Sequence, residues 1–186
     1  MLEFTNGFSA LALLMTAGAG GINNYVADLD RATVSNKLLV GLRLAHRTAH
    51  QYGATVTLCP SADGQTCSRS GDWSDGWVAF FDRDGDGEIG PIERQGVVGH
   101  ALNESRGDVS VSAEWDRLSF KPGMPVAVGP DDAAATLCIL DARGPDYSRV
   151  IWIDGRGIAR LHDRRTERES AENAARDFSQ RSTDCY

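Results

Sequence analysis

The sequence predicts an α+β protein in which one long N-terminal helix packs on an antiparallel β domain. Three observations carry that reading. A helical period runs over 30–52, the period changes after Gly53 to short alternating β-branched runs, and turn clusters separate those runs. The chain has 186 residues, 41% of them hydrophobic and 24% charged. That is enough for a single core and excludes wholesale disorder, and no repeat suggests collagen or a coiled coil. A net charge of −7 argues against a general nucleic-acid coat, though a local basic patch is compatible with it.

The first element is apolar. No Asp, Glu, Lys or Arg stands between Glu3 and Asp28, and 8–17 is apolar or small throughout. A bilayer span takes about 20 mainly apolar residues. This stretch has the length but is diluted by Gly18, Gly20, Gly21, Asn23 and Asn24. Two readings stay open, a buried or interfacial helix and a membrane-inserted export segment. Glu3 and the absence of Lys or Arg depart from the basic start of a secretory signal. The glycines around Gly20 lack the preceding strand and third glycine of a dinucleotide cradle.

The helical period follows. Val34, Leu38, Leu42, Ala45 and Ala49 share one stripe, and Asn36, Arg43, Arg47 and His50 fall opposite. Val40 and Leu44 lie off the stripe and form a second apolar flank. Gly53 supplies the stop. Strands are then predicted over 54–59, 76–81, 109–115, 117–120, 135–140, 149–153 and 158–161. Turn clusters stand at 63–64, 84–87, 122–123, 129–132 and 154–155. The charged stretch 166–179 reads as a solvated helix.

Cys59, Cys67, Cys138 and Cys185 contain no C-x-x-C, which excludes a zinc knuckle. An even count behind an export-like start fits two disulfides. Of the three pairings, Cys59–Cys67 closes a short loop and Cys138–Cys185 ties the tail to a strand. The competing reading is four free thiols in a cytosolic protein.

The segment 82–93 fits D-x-[DN]-x-[DN]-G-x5-E in full, with Asp82, Asp84, Asp86, Glu88 and Glu93 as candidate calcium ligands and Gly87 at the turn. Its setting is unlike an EF-hand, because a strand precedes it and 96–99 has no helical continuation. The alternative is a solvated acidic turn. Catalysis is not expected. His46 and His50 lack the intervening glutamate of H-E-x-x-H and read as solvent-facing helix histidines. No G-x-S-x-G is present.

The helix 42–47, the strand end Leu58-Cys59-Pro60-Ser61, the segment Trp73-Ser74-Asp75-Gly76-Trp77-Val78-Ala79-Phe80-Phe81-Asp82, Thr136-Leu137-Cys138 and a terminal cysteine occur in that order. In this the chain resembles the FimT/GspH family of type IV minor pilins and type II secretion pseudopilins. The resemblance implies a pilin-like fold divided into a leader at 1–7, a membrane and filament helix at 8–52, and a β-rich head at 53–186. It implies prepilin-peptidase cleavage after Gly7 and methylation of Phe8. It also implies other pilin or pseudopilin subunits and membrane lipid as partners, and a bacterial inner-membrane location with a periplasmic head until assembly. Val40 and Leu44 become candidate filament contacts. Two positions depart from the pattern: Ala12 stands where the family usually has glutamate, and the leader carries no Lys or Arg.

Some members that serve DNA uptake carry Gly-Arg-x-Arg near the C-terminus. Gly157-Ile158-Ala159-Arg160 occupies the matching place, with Arg156, Arg164, Arg165 and Arg168 nearby as candidate DNA-binding residues. Asp163, Glu167, Glu169, Glu172 and Asp177 cancel most of that charge, which favours arginines paired on a solvated helix.

Overall fold

The computed structural model describes residues 2–103, 109–123 and 135–163, with side chains from residue 22 onward. One helix, α1 (Leu2–Tyr52), precedes eight strands: β1 (Val56–Pro60), β2 (Gly76–Phe81), β3 (Val97–Leu102), β4 (Val109–Ser112), β5 (Leu118–Phe120), β6 (Ala135–Asp141), β7 (Arg149–Ile153) and β8 (Ala159–Asp163). They form two four-stranded sheets in the orders β3-β2-β1-β5 and β4-β6-β7-β8. Every pairing is antiparallel. The expected α+β architecture is the one observed.

The helical stripe is the seam of the molecule. Val34, Leu38, Leu42, Ala45 and Ala49 are buried. They join one core with Val56 and Leu58 of β1, Leu118 and Phe120 of β5, Leu137 and Ile139 of β6, and Ile151 and Ile153 of β7. A single helix thus covers both sheets, with its polar residues Asn36, Arg43, Arg47 and His50 exposed as the period requires. In β4 the residues alternate, odd positions facing this core and even ones facing water. At Gly41 the Trp77 indole lies so close that an added Cβ would sit 2.6 Å from it, so only glycine lets β2 reach the helix.

The central strands of the first sheet, β1 and β2, are buried on both faces. Behind β1 and β2, Cys59, Val78 and Phe80 form a second cluster with Cys67, Ile89 and Val97. The loops that follow β1 and β2 therefore lie over a hydrophobic floor, and this explains why β1 is buried at every position rather than alternating.

Several expectations are corrected. Residues 97–102 form a strand that periodicity does not reveal: β3 carries Gly99 and is only half-buried along most of its length. The strand expected over 109–115 ends at Ser112, and Trp115 instead packs edge-on against Trp73 at 5.1 Å. Leu44 is not a free flank: it lies against β3, where an added Cβ on Gly99 would meet it at 2.8 Å. Val40 is exposed. The turn at 129–132 and the helix expected over 166–179 fall outside the described residues.

α1 runs without a break through Gly7 and Phe8. Among the described residues, no helix is long and apolar enough to cross a membrane.

Because Gly41 is filled from outside by an indole, Gly41→Val is expected to cost about 1–3 kcal/mol of stability through overpacking. A chemical denaturation midpoint equal to that of the parent chain would contradict this account of the seam.

Candidate functional site

The first candidate region lies where α1 meets the second sheet. Arg31 is 3% exposed, yet it carries a charge. Its guanidinium donates to the Tyr147 carbonyl and to Asp28 Oδ1 at 3.0 Å, and its Nε lies 3.9 Å from Asp141 Oδ2. Arg143 closes the network, donating from Nη2 to Asp28 Oδ1 at 2.7 Å and to Asp141 Oδ2 at 2.5 Å. Its guanidinium stacks over the Tyr147 ring at 4.2 Å. Burial and the neighbouring Arg149 charge lower the Arg31 pKa, while Asp163, Asp141 and Asp28 oppose that shift. The Arg143 pKa is raised, chiefly by its hydrogen bond to Asp141. Two arginines and two aspartates, contributed by helix and sheet, fix where the helix leaves the head. No motif points to this network, although the i,i+3 spacing of Asp28 and Arg31 is visible in the sequence.

Beyond the network the helix carries uncovered apolar groups. Ile22 and Tyr25 are each 65% exposed, and Val26 and Leu29 are nearly half exposed. Their spacing of three, one and three places all four on one side of α1.

The acidic loop forms the second region. Asp82, Asp84 and Asp86 bring one carboxylate oxygen each within 4.8 Å of the others, with Asp82 buried and the other two exposed. Asp82 Oδ2 accepts from Thr57 Oγ1 at 2.7 Å, and its Oδ1 accepts from the Gly85 amide at 2.7 Å. Gly87 sits at φ 74°, as the sixth position of such a loop needs. Glu93 is placed otherwise: its two oxygens accept from the Arg83 and Gly90 amides at 3.0 and 2.9 Å. It therefore latches the loop closed. Glu88 pairs with Arg69, and Arg117 Nη1 donates to the Asp86 carbonyl at 2.6 Å. Three of the five expected ligands converge, and Glu88 and Glu93 face other partners.

The neighbouring loop is tied by the Cys59–Cys67 disulfide, with Cα atoms 5.6 Å apart. Within it Asp63 accepts from the Gln65 and Thr66 amides at 2.7 and 2.8 Å and from the hydroxyls of Thr66 and Ser61. These bonds hold its carboxyl well below the usual carboxylate range, the Gln65 amide contributing most. Cys138 is disulfide-bonded, and Cys185 lies outside the described residues.

Arg156 and Arg160 are exposed in the β7–β8 turn and on β8. The Arg156 amide donates to Asp154 Oδ1 at 2.9 Å. Arg164, Arg165 and Arg168 lie outside the described residues, as do the side chains of Phe8 and Ala12.

Comparison with known proteins gives three findings. The profile of the family described as type II transport protein GspH matches residues 34–157. The crystal structure of the type IV minor pilin FimU from Pseudomonas aeruginosa strain PAO1 is similar in fold, with a TM-score of 0.56 at 14% identity over 76% of this chain and 94% of that one. A second crystal form of the same pilin gives a TM-score of 0.52 at 15% identity, over 72% and 94% of the two chains. No curated protein sequence matches this chain.

Two outcomes follow from the charges. Asp141→Ala strips the buried Arg31 and the half-buried Arg143 of a shared counter-ion and is expected to cost about 3–5 kcal/mol; a loss near that of a surface substitution would show that the network carries no structural load. Asp63 has a lowered folded pKa, so its contribution is present above the unfolded value of about 3.9 and is lost as pH falls through the folded one. The Gln65 and Thr66 amide resonances should accordingly titrate well below about pH 4, and a midpoint at the ordinary aspartate value would contradict the assignment.

Proposed function

This chain belongs to the GspH family of type II transport proteins, and we propose that it is a minor pilin or pseudopilin subunit that assembles into, or primes, a type IV pilus or type II secretion pseudopilus. One observation carries the reading. Ile22, Tyr25, Val26 and Leu29 form an exposed apolar stripe on the part of α1 that precedes the head, whereas the stripe from Val34 to Ala49 is spent on the intramolecular core. Apolar side chains on one side of a helix lose free energy in water and gain it against another apolar surface. Sister helices in a filament supply such a surface, and lipid supplies it before assembly.

In this reading the leader is cut after Gly7, Phe8 becomes the methylated mature N-terminus, and the head stays on the periplasmic side. The clamp around Arg31 and Arg143 sets the angle between the packing helix and the head. Ala12 removes the carboxylate that family members usually offer to a neighbour's amine, which leaves apolar packing as the main source of registration.

A second reading concerns the acidic loop, because three carboxylate oxygens within 4.8 Å repel one another unless a cation joins them. Asp82, Asp84 and Asp86 would hold a structural Ca²⁺, and Glu93 would shape the loop without ligating it.

Val26→Asp combined with Leu29→Asp should abolish incorporation when the chain is expressed with a prepilin peptidase and companion subunits. The head should keep its stability to within about 0.5 kcal/mol, since both sites are exposed. Unimpaired incorporation would remove the stripe from the interface. Mass spectrometry should find N-methylated Phe8 in the same preparation. For the loop, calorimetry should register Ca²⁺ binding to the parent chain and none to Asp84→Ala; no heat in either defeats the calcium reading.

A further inference from the structure

We propose that His46 and His50, in the last two turns of α1, form a two-imidazole chelate for a first-row transition-metal ion of the zinc, nickel or copper class. The two residues are one helical turn apart, so their side chains leave the helix on the same side. Their ring centroids are 4.6 Å apart with planes at 69°. Two imidazole nitrogens bound to one tetrahedral ion, each at about 2.0–2.1 Å, stand roughly 3 Å apart, so these rings need only a small turn to share it. One ring is already held: His46 is half-buried and meets Phe120 edge-on at 5.8 Å. His50 is exposed and free to supply the turn.

The surroundings of His46 act on the ring in opposite directions. Burial, and after it the nearby His50, lower the His46 pKa. The Asp154 carboxylate acts on the same ring from the β7–β8 turn, and the Arg156 backbone there also favours its cationic form. The end of α1 directs its last carbonyls toward this region, which adds a negative potential. Arg43 and Arg47 stand three residues before His46 and His50, both exposed, and oppose the ion. They moderate the affinity.

The site has two protein ligands, which leaves its remaining positions open to water or to a donor from another molecule. No carboxylate lies between the histidines in the sequence, so the arrangement differs from H-E-x-x-H and is suited to holding an ion.

The test uses the full-length chain in detergent, stripped with a chelator and titrated calorimetrically with Zn²⁺ alone. One equivalent is expected in the parent chain. His50→Ala and His46→Gln should each weaken that event by at least ~10-fold, in keeping with loss of one of two ligands. Asp84→Ala should leave it unchanged. Ring nitrogen resonances of His46 and His50 should shift on Zn²⁺ addition while those of His100 and His162 do not. His50→Ala is exposed, so its melting temperature should match the parent and keep the comparison valid. Absence of Zn²⁺ binding, or binding that survives His50→Ala, overturns the proposal. So does binding that disappears in Asp84→Ala, which would place the ion in the acidic loop instead.

Discussion

Everything in this fold depends on one helix face being buried against two sheets at once. Leu38, Leu42 and Ala45 have no exposed surface, and their neighbours come from β1, β5, β6 and β7 together. Among the described residues, neither sheet has another layer to cover that side. The two sheets share no paired strands, and besides the helix they are joined by the segment ahead of β2, where the Trp73 amide donates to the Val111 carbonyl and the Ala113 amide to the Gly71 carbonyl, both at 2.8 Å. The approach of Trp77 to Gly41 belongs to the same constraint, because β2 reaches the helix only where no side chain intervenes.

The charged network answers a different need. Hydrophobic contact is non-directional and allows the helix to slide or tilt with little change in area. Arg31 and Arg143 remove that freedom, because guanidinium groups hydrogen-bond in fixed directions and a buried cation left without partners is costly. Burying Arg31 at 3% exposure makes sense as a choice of orientation more than of stability. The apolar stripe and the network thus divide the work, one supplying cohesion and the other supplying angle.

How much of this was legible follows from which contacts are local. The stripe from Val34 to Ala49 repeats with the helical period and was visible at once. The strands with strong alternation or dense β-branching, β2 and β7, were placed to the residue. β3 was invisible because its glycine and half-buried positions give no period, and it exists through pairing with β2. Leu44 reads as a second apolar flank because nothing in the sequence says that Gly99 leaves room for it. The acidic loop was recognised as a pattern, yet its carboxylates divide by partner: Glu93 turns to backbone amides and Glu88 to Arg69. The Glu88 choice depends on Arg69, which the motif does not contain, and the Glu93 choice on how the loop backbone turns its amides. The Arg31 network was missed for the same reason, since Asp28 and Asp141 are brought together only by the tertiary fold.

A rod gripped near its middle is a lever. The grip at Asp28 leaves a shaft of about 40 Å ahead of it, at 1.5 Å rise per residue. A swing of about 5° at that fulcrum would carry the far tip sideways by roughly 3 Å, a large part of the 5.4 Å pitch that separates successive turns. Two guanidinium groups no larger than a few ångströms therefore govern aim over a distance many times their own size, and any neighbour meeting the tip inherits their precision.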